Sequence, residues 1–86
     1  MNEIPISKEE MLQAIEFDRE EEWEEALRIM QHYDSQISCW FRAYLYRKAG
    51  DEWNANYWYD KAGKKYTRKS LESELDEIME FVENSM

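Results

Sequence analysis

Apolar residues recur along this chain at helical steps. Ile37, Trp40, Phe41, Tyr44 and Leu45 follow one another at intervals of three, one, three and one, and Ala55, Trp58, Tyr59 and Ala62 repeat that rhythm. Leu71, Leu75, Ile78, Met79 and Val82 form a third stripe, predicting a helix that ends near Asn84. Upstream, Ser7 to Glu10 reads Ser-Lys-Glu-Glu, a capping box that starts a helix near Lys8, with Ile6 and Met11 placed as a hydrophobic staple. Between the middle two stripes, Gly50 suits the end of one helix and Asp51 the N-cap of the next. The pattern predicts an all-α fold whose core contains Leu12, Ile15, Leu27, Phe41, Tyr44, Tyr59 and Leu75.

Sliding the sequence against itself by 29 positions pairs Met11 with Trp40, Leu12 with Phe41, Ala14 with Ala43, Ile15 with Tyr44, Phe17 with Tyr46, Ala26 with Ala55 and Met30 with Tyr59. Apolar meets apolar throughout, and small alanine is retained at two places, as a repeat of one structural unit requires. The register predicts two antiparallel helical hairpins, at about 8–33 and 36–63, closed by a capping helix at about 70–84, in a single domain spanning 1–86. Glu21 stands where the second copy has Gly50, and nothing there forces a break. Leu12, Ile15, Trp23, Leu27 and Met30 would also share one face of a single helix from Lys8 to about Tyr33, so one helix or two remains open for this segment.

The second copy resembles a tetratricopeptide repeat through Ala43 and Tyr46 in its first helix, the Gly50-Asp51 turn, and Ala55, Tyr59 and Ala62 in its second. The first copy keeps Ala14, Phe17, Trp23 and Ala26. The likeness is degenerate: the period is 29 where the family has 34, the usual closing proline is missing, and Trp53 sits one place from the usual aromatic. It implies a scaffold for protein contacts rather than a reaction. The segment from Arg47 to Gly63 also resembles a stretch of uncharacterised microbial proteins, and that likeness brings no activity with it.

Composition sharpens the picture. A chain of 86 residues buries only about 60–65% of its unfolded surface, so its core must be dense. An aromatic content of 15% supplies the area. Two glycines and one proline are too few for a set of short strands and tight turns. The net charge of −9 is unevenly spread: positions 1–35 carry −8, positions 36–70 carry +5, and positions 71–86 carry −6. A basic block between acidic flanks fits helices that pack side by side with opposite charge, or a basic face for an acidic partner. A balance this negative disfavours nucleic acid. The longest apolar run, Ala43 to Tyr46, excludes a membrane span. With no targeting segment expected and a lone Cys39, a cytoplasmic setting follows.

Few side chains here can carry chemistry. His32 and Cys39 form a thiolate pair only if the loop between them folds them together, and a buried structural cysteine is the competing reading. Metal-ligand spacing is absent and no cofactor is implied, so the expectation is a protein that is not an enzyme. The candidate partner-binding residues are Trp53, Tyr57 and Asn56, on a face turned away from the Ala55/Tyr59 stripe, and the acids Glu20, Glu21 and Glu24. Either the C-terminal helix covers Trp53 and Tyr57, or they form an exposed patch of the kind that marks a partner surface. Two functions follow: an interaction or assembly module that binds a protein segment or its own copy, and an acidic inhibitor or immunity-type protein that occludes a basic target.

Overall fold

A computed structural model describes residues 5–86, so the first four positions of the expected 1–86 domain lie outside the described residues. The chain is all-helical, with α1 Lys8–Arg19, α2 Trp23–Met30, α3 Gln36–Lys48, α4 Glu52–Ala62 and α5 Leu71–Ser85, and no strand among the described residues.

The local signals act as the sequence predicts. Ser7 Oγ accepts the Glu10 amide at 3.1 Å, and the Glu10 carboxylate accepts the Ser7 amide at 3.4 Å. Ile6 and Met11 are both buried. Asp51 caps α4 by accepting the Asn54 amide at 3.1 Å.

The chain breaks between Arg19 and Trp23, so the single helix from Lys8 to Tyr33 does not form. Glu21 adopts the left-handed region at φ 63°, where its amide donates to the Asp18 carbonyl and the Glu22 amide to the Phe17 carbonyl. Gly50, at φ 83°, ends α3 with the same pair of bonds, Gly50 to Arg47 and Asp51 to Tyr46. Both are helix-terminating motifs in which one left-handed residue lets two amides turn back on the helix. Glycine enters that conformation freely, whereas a residue with a Cβ does so at a cost of about 1 kcal/mol. Glu21 is exposed and its contact with Lys48 is long, at 3.5 Å, so that strain is not offset there. Glu21→Gly is expected to stabilise the protein by about 0.5–1 kcal/mol, read as a shift of the urea midpoint at unchanged slope.

Helix α3 is the axis of the fold. Every residue from Ile37 to Leu45 is buried, as expected of a helix packed on all sides. It lies against α4 most extensively and also against α2 and α5, while α1 packs on α2 and α5. The alanines at 14, 26, 43 and 55 have no exposed surface, the condition for close approach of helix backbones.

Three expected core residues come out differently. Leu12 is 38% exposed, because the inward face of α1 is Met11, Ala14, Ile15 and Asp18, one position round the helix from it. Leu27 and Leu75 are only half-buried, at the margin of the core. The positions of α5 that face the core are filled by Glu74, Ile78 and Val82, so a carboxylate occupies part of a stripe that reads as apolar. Trp58, expected on the inward stripe of α4, is also half-buried.

Candidate functional site

The outward face of α4 carries the largest exposed aromatic surface among the described residues. Trp53 is 77% exposed and Tyr57 46%, one helical turn apart. Their rings lie within 9° of parallel with centroids 6.4 Å apart. Helix α5 does not cover them. It packs on α3 and α1, and it reaches α4 through Tyr59, whose hydroxyl donates to Glu74 at 2.5 Å from the inward side. The sequence left coverage and exposure open, and the placement of α5 decides for exposure.

The aromatic pair is braced from behind. Tyr57 meets Trp58 edge to face at 5.0 Å, and the guanidinium of Arg42 lies 4.0 Å from the Trp58 ring centroid. Arg42 is itself buried and donates to the backbone carbonyls of Met30 and Tyr33, the latter at 2.7 Å. Those carbonyls mark the C-terminal end of α2, where a cation also complements the helix dipole. Burial pulls the Arg42 pKa down from its ordinary value, with Cys39 and Asp34 opposing. A surface aromatic is thus tied through one intermediate ring to a buried side chain that staples α2 to α3. Asn56, beside the pair, is exposed and donates to the Glu52 carbonyl at 3.1 Å.

Glu20, Glu21 and Glu24 fall elsewhere, at the turn between α1 and α2 and in the first turn of α2. Glu21 and Glu24 flank Trp23, which is 40% exposed. Lys48, near the end of α3, reaches the buried Asp18 carboxylate at 3.0 Å as well as Glu21. The α1–α2 turn and the start of α4 therefore lie at the same end of the molecule. The aromatic and acidic candidates form two patches, and no hydrogen bond or ion pair joins them among the described residues.

Two buried carboxylates were not singled out by the sequence. Glu74, 1% exposed, accepts from Trp40 Nε1 at 3.1 Å, from the Tyr59 hydroxyl at 2.5 Å and from Arg47 Nε at 3.0 Å. Asp18, also 1% exposed, accepts from the Tyr44 hydroxyl and from Lys48 Nζ, both at 3.0 Å. Burial, the largest single influence, would lower the Arg47 pKa, but the bond to Glu74, its charge and Tyr59 together outweigh it and the net direction is upward. An open depression of about 400 Å³ lies beside the 63–69 connection, with Trp40, Lys64 and Tyr66 in its wall and Glu74 at its floor. Three donors already converge on that carboxylate, which leaves the floor little capacity for a ligand. The one sequence signal for such buried acids is the match between the tyrosines at 44 and 59 and carboxylates on facing helices, visible only once the helices are placed.

The two tyrosines make the fold sensitive to alkali. Burial, then the neighbouring carboxylate, raises the Tyr59 and Tyr44 pKa values well above the ordinary 10.0. A raised folded pKa gives stability that is complete below the unfolded value and is lost as pH rises through the folded one. Stability should therefore fall from about pH 10 upward, by up to ~1.4 kcal/mol per pH unit for each phenol. Melting temperatures between pH 9 and 11.5 check this, and Tyr59→Phe should reduce the slope while lowering stability at neutral pH.

His32 and Cys39 are not assembled into a pair. The His32 ring sits edge-on to Tyr33 at 6.4 Å, and Cys39 is buried with its thiol directed at the Asp34 carbonyl, 3.7 Å away. Burial pushes the Cys39 pKa up, away from a reactive thiolate. Among the described residues no group of three or more His, Cys, Asp or Glu side chains is placed to hold a metal ion, and no helix is long and apolar enough to cross a membrane. No protein-family model, curated protein or solved structure matches this chain.

Proposed function

We propose that this protein is a non-catalytic interaction module: two tetratricopeptide-like helical hairpins, α1–α2 and α3–α4, capped by α5, that present the Trp53/Tyr57 face of α4 to a protein partner. The observation that carries the reading is the parallel, exposed aromatic pair that the chain's own C-terminal helix leaves uncovered. Rigid aromatic anchors lose little conformational freedom on binding and dominate the energetics of protein interfaces. Support for the repeat comes from the helix-ending motifs at Glu21 and Gly50, 29 positions apart, and from matching burial at Met11/Trp40, Ala14/Ala43, Ile15/Tyr44, Ala26/Ala55 and Met30/Tyr59.

A second reading, an acidic protein that occludes a basic target, is favoured by Trp23 standing exposed among Glu21, Glu22, Glu24 and Glu25. Proteins retained from the native source on immobilised chain separate the two. Retention lost in the W53S/Y57S double variant, with little dependence on salt, supports the α4 face. Retention that survives that change but falls steeply with salt, or is lost when Glu20, Glu21 and Glu24 are changed to Gln, supports the acidic one.

A further inference from the structure

We propose that the partner seated on the outward face of α4 is a second copy of this chain, the two α4 helices crossing antiparallel about a two-fold axis at Tyr57. This rests on the reading of that face as a partner surface and names its occupant. Trp53, Tyr57 and Lys61 are four residues apart and so form one ridge on the helix. From the N-terminal end the ridge carries an indole, a phenol ring stacked against it, and an ammonium 5.6 Å from the phenol centroid. All three are exposed.

That order is complementary to its own reverse. Trp53 lies four positions before Tyr57 and Lys61 four after it. An antiparallel second copy therefore lays each Lys61 on the other copy's Trp53, giving two cation–π contacts, with Tyr57 against Tyr57 at the centre. Ridges of this four-residue spacing run parallel to one another when helices cross at about 50°, so the two strips can face each other along their length. On the helix itself Glu52 stands at the start and Asp60 and Lys61 in the last turn, all three exposed. Antiparallel pairing sets Lys61 of one copy toward Trp53 and Glu52 of the other, whereas parallel pairing sets Lys61 against Lys61.

The strip is small. A helix of 11 residues is only about 16 Å long, so the contact falls below the ~1,200 Å² of a permanent assembly. The dimer should be reversible, with a dissociation constant on the order of 100 µM. The net charge of −9 on each copy opposes association until salt screens it. Self-association should accordingly tighten as salt rises from about 10 to 150 mM, the reverse of what a basic partner on the acidic turn would show.

Sedimentation equilibrium from 10 µM to about 1 mM, run on the wild type, W53K and W53K/K61W, tests the arrangement. Both positions face solvent, and circular dichroism confirms that each variant is folded. W53K alone places lysine against lysine and should weaken the dimer at least tenfold. The double exchange restores indole against ammonium with the roles reversed and should recover the wild-type constant to within about threefold, a rescue that no unrelated partner produces. A wild type that stays monomeric across the whole range overturns the proposal while leaving the α4 face available to a different protein. A dimer that W53K leaves intact, or that the exchange does not rescue, overturns it equally.

Discussion

Glu74→Ala should come close to unfolding the protein, with a loss of about 3–5 kcal/mol against a total stability for a domain of this size on the order of 5–10 kcal/mol. The side chain is the meeting point of three elements: Trp40 and Arg47 from α3, and Tyr59 from α4, all bond the carboxylate that α5 delivers. Removing it strands an indole N–H, a phenol and a guanidinium in the interior. Arg47 already has one buried nitrogen, Nη2, without a hydrogen-bond partner, so it has no second acceptor to turn to. Stranded buried donors cost their full desolvation, which exceeds the net value of the bonds themselves. Glu74→Gln keeps the shape and both acceptor lone pairs of the remaining carbonyl oxygen but loses the charge facing Arg47, and should fall between the two. Chemical denaturation of the three proteins checks the order, and a Glu74→Ala loss below about 1 kcal/mol would show that the cluster does not hold α5 in place.

Arg42→Met should cost about 2–4 kcal/mol, through a different route. The methionine keeps the buried aliphatic volume and removes the fork that bonds the Met30 and Tyr33 carbonyls and faces Trp58. Two backbone acceptors at the end of α2 then lose their partner and the Trp58 ring loses its cation. Arg42→Lys should recover only part of this, since an ammonium does not present a planar fork to two carbonyls while covering an aromatic face. Arg42 Nε has no partner and the whole group is buried. Its desolvation therefore sets the lower end of the range. Because Trp58 braces Tyr57, the same change should also loosen the aromatic pair. A fall in the near-ultraviolet circular dichroism of the folded protein, measured well below its melting temperature, is the sign of that loosening.

What the sequence made legible was local. Ser7 with Glu10, Asp51 with Asn54, and the left-handed Gly50 act within four residues of themselves, and their chemistry is written in adjacent positions. Exposure of Trp53 and Tyr57 followed from helical spacing once α4 was placed, but the absence of a cover did not. That depends on α5 choosing α3 and α1, a choice made by Glu74 finding Trp40, Arg47 and Tyr59 across 15 to 34 positions of chain. A glutamate within an amphipathic stripe reads as solvent-facing, because only its donors, all on other helices, make burial tolerable. Asp18 reads as solvent-facing for the same reason, and Leu12 reads as inward because an Asp on the true inward face shifts the apparent stripe. The break at Glu21 was invisible to rules built on glycine, since there the fold tolerates strain in a residue that ordinarily avoids that conformation.

The proposed binding role requires the Trp53/Tyr57 pair to lie outside the core, and a thermal melt of W53S/Y57S beside the wild type tests this most directly. With Trp53 77% and Tyr57 46% exposed, little apolar area is lost from the folded state. The melting temperature should stay within about 4 °C of the wild type, equivalent to less than ~1 kcal/mol in a domain this size. Buried aromatics cost about 3–5 kcal/mol each when truncated. A fall of 15 °C or more would therefore contradict the account, placing the two rings in the interior and leaving α4 with no surface for a partner.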